Sequence, residues 1–271
     1  MGRNRGFRFK RFAIEQTETT MKVGTDGVLL GAWACIDPEA RRYLDVGTGT
    51  GVIALMLAQR TETFDDVRID AVEVDEPSAR EAARNVAASP WHDRVAVIRA
   101  DIRTYAPGVR YDHVVANPPW FVESLHSPSP ERTRARHADL LPFGELIRAV
   151  RGLLAGEGRF SVVLPADGHD RFVSEAVRQG LSLARRTTVF SLPEQPPKRV
   201  LLELTAADVP RPREEQLLIE TGRSAGDYTE EYRRHASRSS ALLYPREVVR
   251  SVSPCVAERN RLPDSCAFYR R

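Results

Sequence analysis

Residues 43–58 read YLDVGTGTGVIALMLA, and this stretch decides how the rest of the chain is interpreted. Its apolar start predicts a buried strand, its three alternating glycines predict a tight turn, and the residues from Val52 onward predict an apolar helix. Strand, glycine turn and helix in this order predict an α/β sheet with a ligand site at the carboxyl ends of its strands.

The turn differs from the turn that binds dinucleotides. A G-x-G-x-x-G fingerprint would place its third glycine where Val52 stands, one residue after Gly51. The carboxylate of Asp45 would repel a pyrophosphate but attract an ammonium group. We therefore predict S-adenosylmethionine (SAM), which has an amine and no phosphate. The ligands predicted for it in this stretch are Asp45, Gly47, Thr48, Gly49 and Gly51.

Strand and helix patterns alternate over most of the chain, which favours a Rossmann-like α/β fold with a mostly parallel, seven-stranded sheet and helices on both faces. After residue 206 the pattern weakens, and only residues 217–219 can add one more short strand. We divide the chain into a basic arm with a capping helix (1–36), the α/β domain (37–232) and a polar tail predicted to be poorly ordered (233–271). The seven strands are predicted at 43–46, 67–74, 94–100, 111–116, 158–165, 183–192 and 199–205.

Two acidic residues lie at the ends of predicted strands, at the same edge as the glycine turn. Glu73 lies 73 − 51 = 22 residues after Gly51, a distance at which an acid can accept both ribose hydroxyls. Asp75 is the alternative, since the strand end is not fixed by the sequence. Asp101 follows the third strand and can accept from the adenine amine of SAM. A helix cap or a surface acid is the ordinary alternative for each.

The stretch Asn117-Pro118-Pro119-Trp120 follows the apolar residues 114–116. Two prolines make a stiff turn with bare carbonyl oxygens. Together with an amide and an aromatic ring, such a turn can hold a flat ring that carries an amine. It predicts methyl transfer to the exocyclic amine of a nucleobase, and the alternative is a proline-rich loop with a buried Trp120.

The N-terminal residues combine positive charge with aromatic rings. Arg8, Lys10 and Arg11 alternate with Phe7 and Phe9. Such an arm can lie along RNA phosphates and stack on bases. The alternative is a solvated terminus with a small edge strand.

Two further segments supply candidate contacts. Thr25 or Asp26 is predicted to cap a helix whose apolar residues begin at Val28, and its free N–H groups can face a carboxylate. We assign Lys22, Thr25 and Asp26 to the cofactor. The segment 123–136 is long, polar and rich in arginine, so Arg132 and Arg134 are either parts of an RNA clamp or members of a solvated loop.

The composition indicates in which cellular compartment the protein is expected and which kinds of site it lacks. Three cysteines are too few and too scattered for a disulfide framework or a four-ligand zinc site. No apolar run reaches the length of a membrane span, and the terminus lacks the pattern of a signal peptide. We expect a cytoplasmic monomer with no metal and no membrane contact. Of 40 Lys+Arg, 37 are arginines, which reflects either phosphate binding or codon bias.

Taken together, the chain resembles the class I methyltransferases and, more narrowly, the bacterial tRNA(Val) adenine-N6 methyltransferases. The resemblance covers roughly residues 7–232; family members typically have Tyr at position 120, and the polar tail is unlike them. It is carried by residues 9–12 (FKRF) with 21–33 (MKVGTDGVLLGAW), by residues 44–51 (LDVGTGTG), and by residues 117–120 (NPPW).

The resemblance implies SAM-dependent N6-methylation of the adenine 3′ of the anticodon, with tRNA as partner. Asn117 Oδ1 and the Pro118 carbonyl would accept the two N6 hydrogens, while Pro119 and Trp120 contact the flipped base. Three alternatives stay open on the sequence alone. They are methylation of another amine (guanine N2, DNA adenine or a release-factor glutamine), a nicotinamide oxidoreductase, and a non-catalytic RNA-binding module.

Overall fold

The computed structural model describes residues 6–19, 21–119, 141–224 and 226–238. Trp120, Arg132 and Arg134 therefore lie outside the described residues, as does the tail beyond residue 238. The helices are α1 (Thr25–Trp33), α2 (Val52–Arg60), α3 (Glu76–Ala87), α4 (Phe143–Leu153), α5 (His169–Arg178) and α6 (Glu230–Arg238). The strands are β1 (Gly6–Arg8), β2 (Ala13–Glu15), β3 (Arg42–Val46), β4 (Arg68–Glu73), β5 (Val95–Arg99), β6 (Tyr111–Ala116), β7 (Leu154–Pro165), β8 (Ser182–Phe190), β9 (Arg199–Thr205) and β10 (Arg213–Leu218).

The main sheet has the strand order β10-β8-β9-β7-β6-β3-β4-β5. β9 is antiparallel to both of its neighbours, and all other pairs in this sheet are parallel. The strand order reverses between β3 and β6, where crevices for ligands form in α/β sheets. The predicted Rossmann-like class with a mostly parallel sheet is confirmed.

The predicted number of seven strands is wrong, because β10 adds an eighth strand to the main sheet beside β8. β10 is an edge strand in which three of the six residues are exposed, so charged residues replace the apolar run of a buried strand. Of its six residues only Leu217 is buried. The residues predicted as an optional extra strand, 217–219, overlap its end.

Helices cover both faces of the sheet and produce two apolar cores. One core joins α1 and α2 to residues of β3, β4 and the N-terminal hairpin. The other joins α4 and α5 to the opposite sides of β6, β7 and β9. The last helix, α6, places Tyr232 in the first core and runs on to residue 238, so the predicted boundary after residue 232 falls inside it.

The interpretation of the N-terminal aromatics as base-stacking residues is wrong. Phe9 and Phe12 are 4% and 7% exposed and stack on each other in the core, and Phe7 packs against the same cluster. β1 and β2 form a two-stranded antiparallel sheet, close to the alternative of a small edge strand. Alternation of arginine with phenylalanine here reflects the period of a half-buried strand.

Candidate active site

The glycine turn and the Asn117 turn begin side by side. Val46 at the end of β3 is paired with Ala116 at the end of β6, so Gly47 and Asn117 are the next residues on two adjacent parallel strands. Adjacent strands are about 4.8 Å apart. The two features that the sequence analysis singled out therefore share one site at the carboxyl edge of the sheet.

The glycine turn needs glycines for its backbone. Gly47, Gly49 and Gly51 have φ of +67°, +55° and +82°, a region in which residues with a Cβ are strained. At Gly47 a Cβ would meet nothing within 4 Å, so open space adjoins the turn there. The N–H groups of Gly47 and Thr48 donate to the Val72 carbonyl of β4, at 2.8 and 3.1 Å.

Asp45 is fully buried beneath this turn. Its Oδ2 accepts from Thr48 Oγ1 at 2.6 Å and from the Ala54 N–H at 3.1 Å. Its Oδ1 is buried and has no hydrogen-bond partner among the described residues. Burial raises the pKa of Asp45 to about 7, the two hydrogen bonds oppose that rise, and nearby Glu73 adds to it. A buried acceptor without a donor beside a glycine turn fits the ammonium group of SAM.

Glu73 ends β4 and is bound to the glycine turn. Its Oε2 accepts from the Gly49 N–H at 2.9 Å and its Oε1 from the Asp75 N–H at 3.0 Å. Each carboxylate oxygen keeps a lone pair for a further donor, as the predicted ribose contact requires. Asp75, the alternative, is the N-cap of α3 and accepts from the N–H and hydroxyl of Ser78. Asp75 is therefore a helix cap.

Asp101 follows β5 at the same edge of the sheet, but its carboxylate already accepts hydrogen bonds from Arg103. The Arg103 guanidinium donates to both of its oxygens, and the Arg103 N–H donates to Oδ1. These hydrogen bonds lower the pKa of Asp101. A contact from Asp101 to the cofactor adenine stays a prediction, and it requires a lone pair that Arg103 leaves free.

Asn117 lies against the first turn of α1. A Cβ on Gly27 would come 3.6 Å from Asn117 Nδ2 and 3.7 Å from Val52 Cγ1. The Asn117 side chain therefore lies close to Gly27 of the helix. Asn117 and Pro118 are half-buried and Pro119 is exposed, so the turn is accessible.

The helix that carries Gly27 begins differently from the prediction. Gly24 is its N-cap without a side-chain hydrogen bond, and the helix starts at Thr25, three residues before Val28. Asp26 is paired with Arg199, the first residue of β9, with 2.5 Å between Oδ1 and Nε. The cap assignment of Thr25 or Asp26 is wrong, and a cofactor role for either residue stays a prediction.

A segment before α1 crosses the glycine turn. We call residues 16–19 and 21–23 the strap. The buried Glu81 carboxylate of α3 accepts from the N–H groups of Thr17, Glu18 and Thr19 at 2.5, 2.9 and 2.8 Å. Burial opposes ionisation of Glu81, but these hydrogen bonds outweigh it and lower its pKa. No local pattern in the sequence indicates this anchor, because it joins residues more than 60 positions apart.

The strap approaches the glycine turn closely. A Cβ on Gly49 would be 3.9 Å from Thr19 Oγ1 and 4.0 Å from the Met21 carbonyl. Lys22, which we assigned to the cofactor from the sequence, is exposed and donates to the Gln16 carbonyl at 3.3 Å. Met21 and Val74 are 53% and 62% exposed although apolar. Val74 directly follows Glu73, and the Met21 backbone lies next to Gly49, so both exposed apolar residues belong to segments beside the predicted cofactor site.

The basic arm points away from this edge. Arg11 pairs with Glu62 at 2.5 Å and lies 5.2 Å from the centre of the Trp91 ring. Glu62 follows α2, which starts at the glycine turn and spans about 14 Å for its nine residues. Arg8 and Lys10 are exposed in the same hairpin. A contact of these three residues with RNA stays a prediction, and it would be remote from Asn117.

Membrane and metal features are lacking in the described ranges. None of the helices there is long and apolar enough to cross a bilayer. Across those same residues no three His, Cys, Asp or Glu side chains are grouped as they would be around a metal ion.

Known proteins are similar to this chain in sequence and in fold. A family model described as the methyltransferase small domain matches residues 27–167. A relative from Parabacteroides distasonis, called tRNA1(Val) (adenine(37)-N6)-methyltransferase, is 42% identical over 228 residues, or 83% of this chain and 93% of that protein. A relative of the same name from Aeromonas hydrophila is 46% identical over 204 residues, or 75% of this chain and 85% of that protein.

The solved structures agree with the fold. A predicted O-methyltransferase from Agrobacterium tumefaciens superimposes with a TM-score of 0.60 at 18% identity, over 82% of this chain and 100% of that one. At this identity the likeness supports the α/β architecture alone.

Proposed function

Because this chain belongs to the methyltransferase small domain family, and to the family of the relatives called tRNA1(Val) (adenine(37)-N6)-methyltransferase, we propose that it methylates N6 of adenine 37 in tRNA1(Val). The observation that carries the proposal is the pairing of Val46 with Ala116. It sets a cofactor turn and an amine-binding turn on neighbouring strands.

The cofactor is SAM, and the residues at the turn fit it. Asp45 Oδ1 offers a buried acceptor for its ammonium group, the space beside Gly47 admits its chain, and Glu73 offers oxygens to its ribose. When bound, SAM supplies an electrophilic methyl group on a sulfonium. The chain itself contributes the placement of the two reactants and the exclusion of water.

Asn117 and Pro118 bind the amine that is methylated. Asn117 Oδ1 and the Pro118 carbonyl accept the two N6 hydrogens of an adenine flipped out of its stack. These hydrogen bonds draw electron density toward N6 and aim its lone pair at the methyl group. They tighten as positive charge develops on N6, so they stabilise the transition state more than bound substrate.

The function is tested by methyl transfer with the purified protein. Tritiated SAM and unmodified tRNA1(Val) should yield N6-methyladenosine at position 37, identified by nucleoside mass spectrometry. Asn117→Ala should bind both reactants and turn over far more slowly. Label found in guanine, in DNA or in a release-factor glutamine, and not in this tRNA, would overturn the proposal.

A further inference from the structure

A broad groove lies beside the active site on the face covered by α4. One wall is the segment 101–110 between β5 and β6, and the other wall is α4. Its volume is about 880 Å³. At one end is Asp101, at the carboxyl edge of the sheet, and at the other are Arg110 and Leu153. The groove is thus an open trough between the 101–110 segment and α4.

The charges in the groove are unevenly matched. Arg103 is held at the Asp101 end, where it pairs with Asp101 and lies 3.6 Å from Glu145 Oε2. The two carboxylates therefore share one guanidinium. The side chains of Arg110 and Arg148 are exposed and take part in no hydrogen bond or ion pair with the described part of the chain. Unmatched positive charge is thus concentrated in the middle and at the far end of the groove.

The position of these arginines suits a ligand larger than one nucleotide. Arg110 directly precedes β6 and Asn117 directly follows it. Six residues of strand span about 20 Å, so Arg110 is roughly that far from the amine-binding turn. Guanidinium groups match phosphate oxygens in a planar, bidentate geometry. A tRNA whose base enters the site at Asn117 is longer than this distance, so its backbone can also reach these arginines.

From the groove, its unpaired arginines and the position of Arg110 before β6, we propose that Arg110 and Arg148 bind the phosphate backbone of the tRNA outside its target loop. The inference rests on the proposed function and adds a surface to it. Contacts of this kind set the register of the RNA on the enzyme and do not read its bases. They contribute to tRNA affinity without touching the methyl-transfer step.

The test is the salt dependence of tRNA binding by the full-length protein. Each phosphate contact contributes roughly 0.7–0.9 to the slope of log K against log salt. The double variant Arg110→Gln with Arg148→Gln should therefore lower the slope by roughly 1.4–1.8 and weaken binding about five- to eightfold per arginine at 0.1 M salt. Its KM for tRNA should rise while kcat and the Kd for SAM stay unchanged.

Two controls make the result specific. Arg211 is also exposed and makes no ion pair within the described ranges, but it follows β9 near the other end of the sheet. Arg211→Gln should leave the slope unchanged. Replacing Arg110 and Arg148 by lysine should restore most of the slope, because the charges remain.

The outcomes separate this inference from the proposed function. A double variant with the slope of the wild type overturns the groove assignment, and so does an equal loss in Arg211→Gln. If wild-type protein binds tRNA with an arginine-dependent slope but transfers no methyl group to it, the function is wrong and the surface stands. If methyl transfer occurs and the double variant shows no change of slope, the surface is wrong and the function stands.

Discussion

The substitution Glu81→Gln tests whether the strap supports the cofactor turn. In the wild type, Glu81 Oε1 accepts from the Thr17 N–H, the Thr17 hydroxyl and the Glu18 N–H, while Oε2 accepts from the Thr19 N–H. A glutamine amide keeps one oxygen. The amide can take two orientations. In the more favourable one, its oxygen keeps the three contacts of Oε1, and its NH2 group faces the Thr19 N–H.

The cost follows from that geometry. One hydrogen bond to a charged acceptor is lost, which is worth about 1.5–3 kcal/mol, and a buried donor at Thr19 is left without an acceptor. We expect the strap to be destabilised by about 3 kcal/mol. Because the strap can open locally, the loss should be seen as faster hydrogen exchange at Thr17–Thr19 more than as a lower global stability. Affinity for SAM should fall with it, since Thr19 adjoins Gly49.

The matched control lies on the same helix. Glu76 is exposed and pairs with Arg80 and Arg99, and exposed pairs contribute little, so Glu76→Gln should leave exchange and SAM binding nearly unchanged. The pKa of Glu81 is lowered, so its stabilisation is complete above the unfolded value near 4.5 and is lost as pH falls through the native value. The difference in hydrogen exchange between the wild type and Glu81→Gln should therefore be the same at pH 6 and at pH 8. Wild-type exchange and SAM affinity in Glu81→Gln would refute the reasoning.

Three further substitutions test the site. Asn117→Ala should lower kcat by about 100-fold with little change in the Kd for SAM, and single-turnover kinetics would expose a mere binding defect. Asp45→Asn should weaken SAM binding at least about tenfold. In the wild type, SAM affinity should rise between pH 6 and 8 because Asp45 ionises, and the substitution should abolish that rise. Calorimetry at several pH values measures both effects. Arg199→Gln should lower the free energy of unfolding in urea by about 1 kcal/mol, and it should lower kcat because Asp26 loses its partner. An unchanged kcat would show that this ion pair does not align α1 with Asn117.

The parts of the site that were predicted correctly from the sequence are those whose signals are local. The glycine turn follows directly from the alternation of Gly47, Gly49 and Gly51, since positive φ at each excludes most other residues. The mostly parallel sheet around it follows from the alternation of strand and helix patterns along the chain. Cofactor and fold class could thus be inferred from short windows, before any long-range contact was known.

The parts that sequence reasoning missed depend on distant partners. Glu81 is, in the sequence, one acid on a polar helix, and its four hydrogen bonds reach back to residues 17–19. Arg199 starts an ordinary strand, and its pairing with Asp26 depends on the first turn of α1 lying beside the start of β9, which the sequence does not indicate. The burial of Phe9 and Phe12 had no local signal that separated it from base stacking, because the same alternation produces an amphipathic strand.

Asp45 shows why the cofactor turn has the residues it has. A buried carboxylate with one unpartnered oxygen and a second acid nearby is costly to ionise, and this cost raises its pKa to about 7. Between about pH 4 and 7, Asp45 is protonated in the native state and ionised in the unfolded chain. The free energy of unfolding therefore falls as pH rises through that range. A cationic ligand beside Oδ1 removes the cost, whereas a phosphate would increase it. The same carboxylate that weakens the empty turn would therefore favour a ligand with an ammonium group over a dinucleotide.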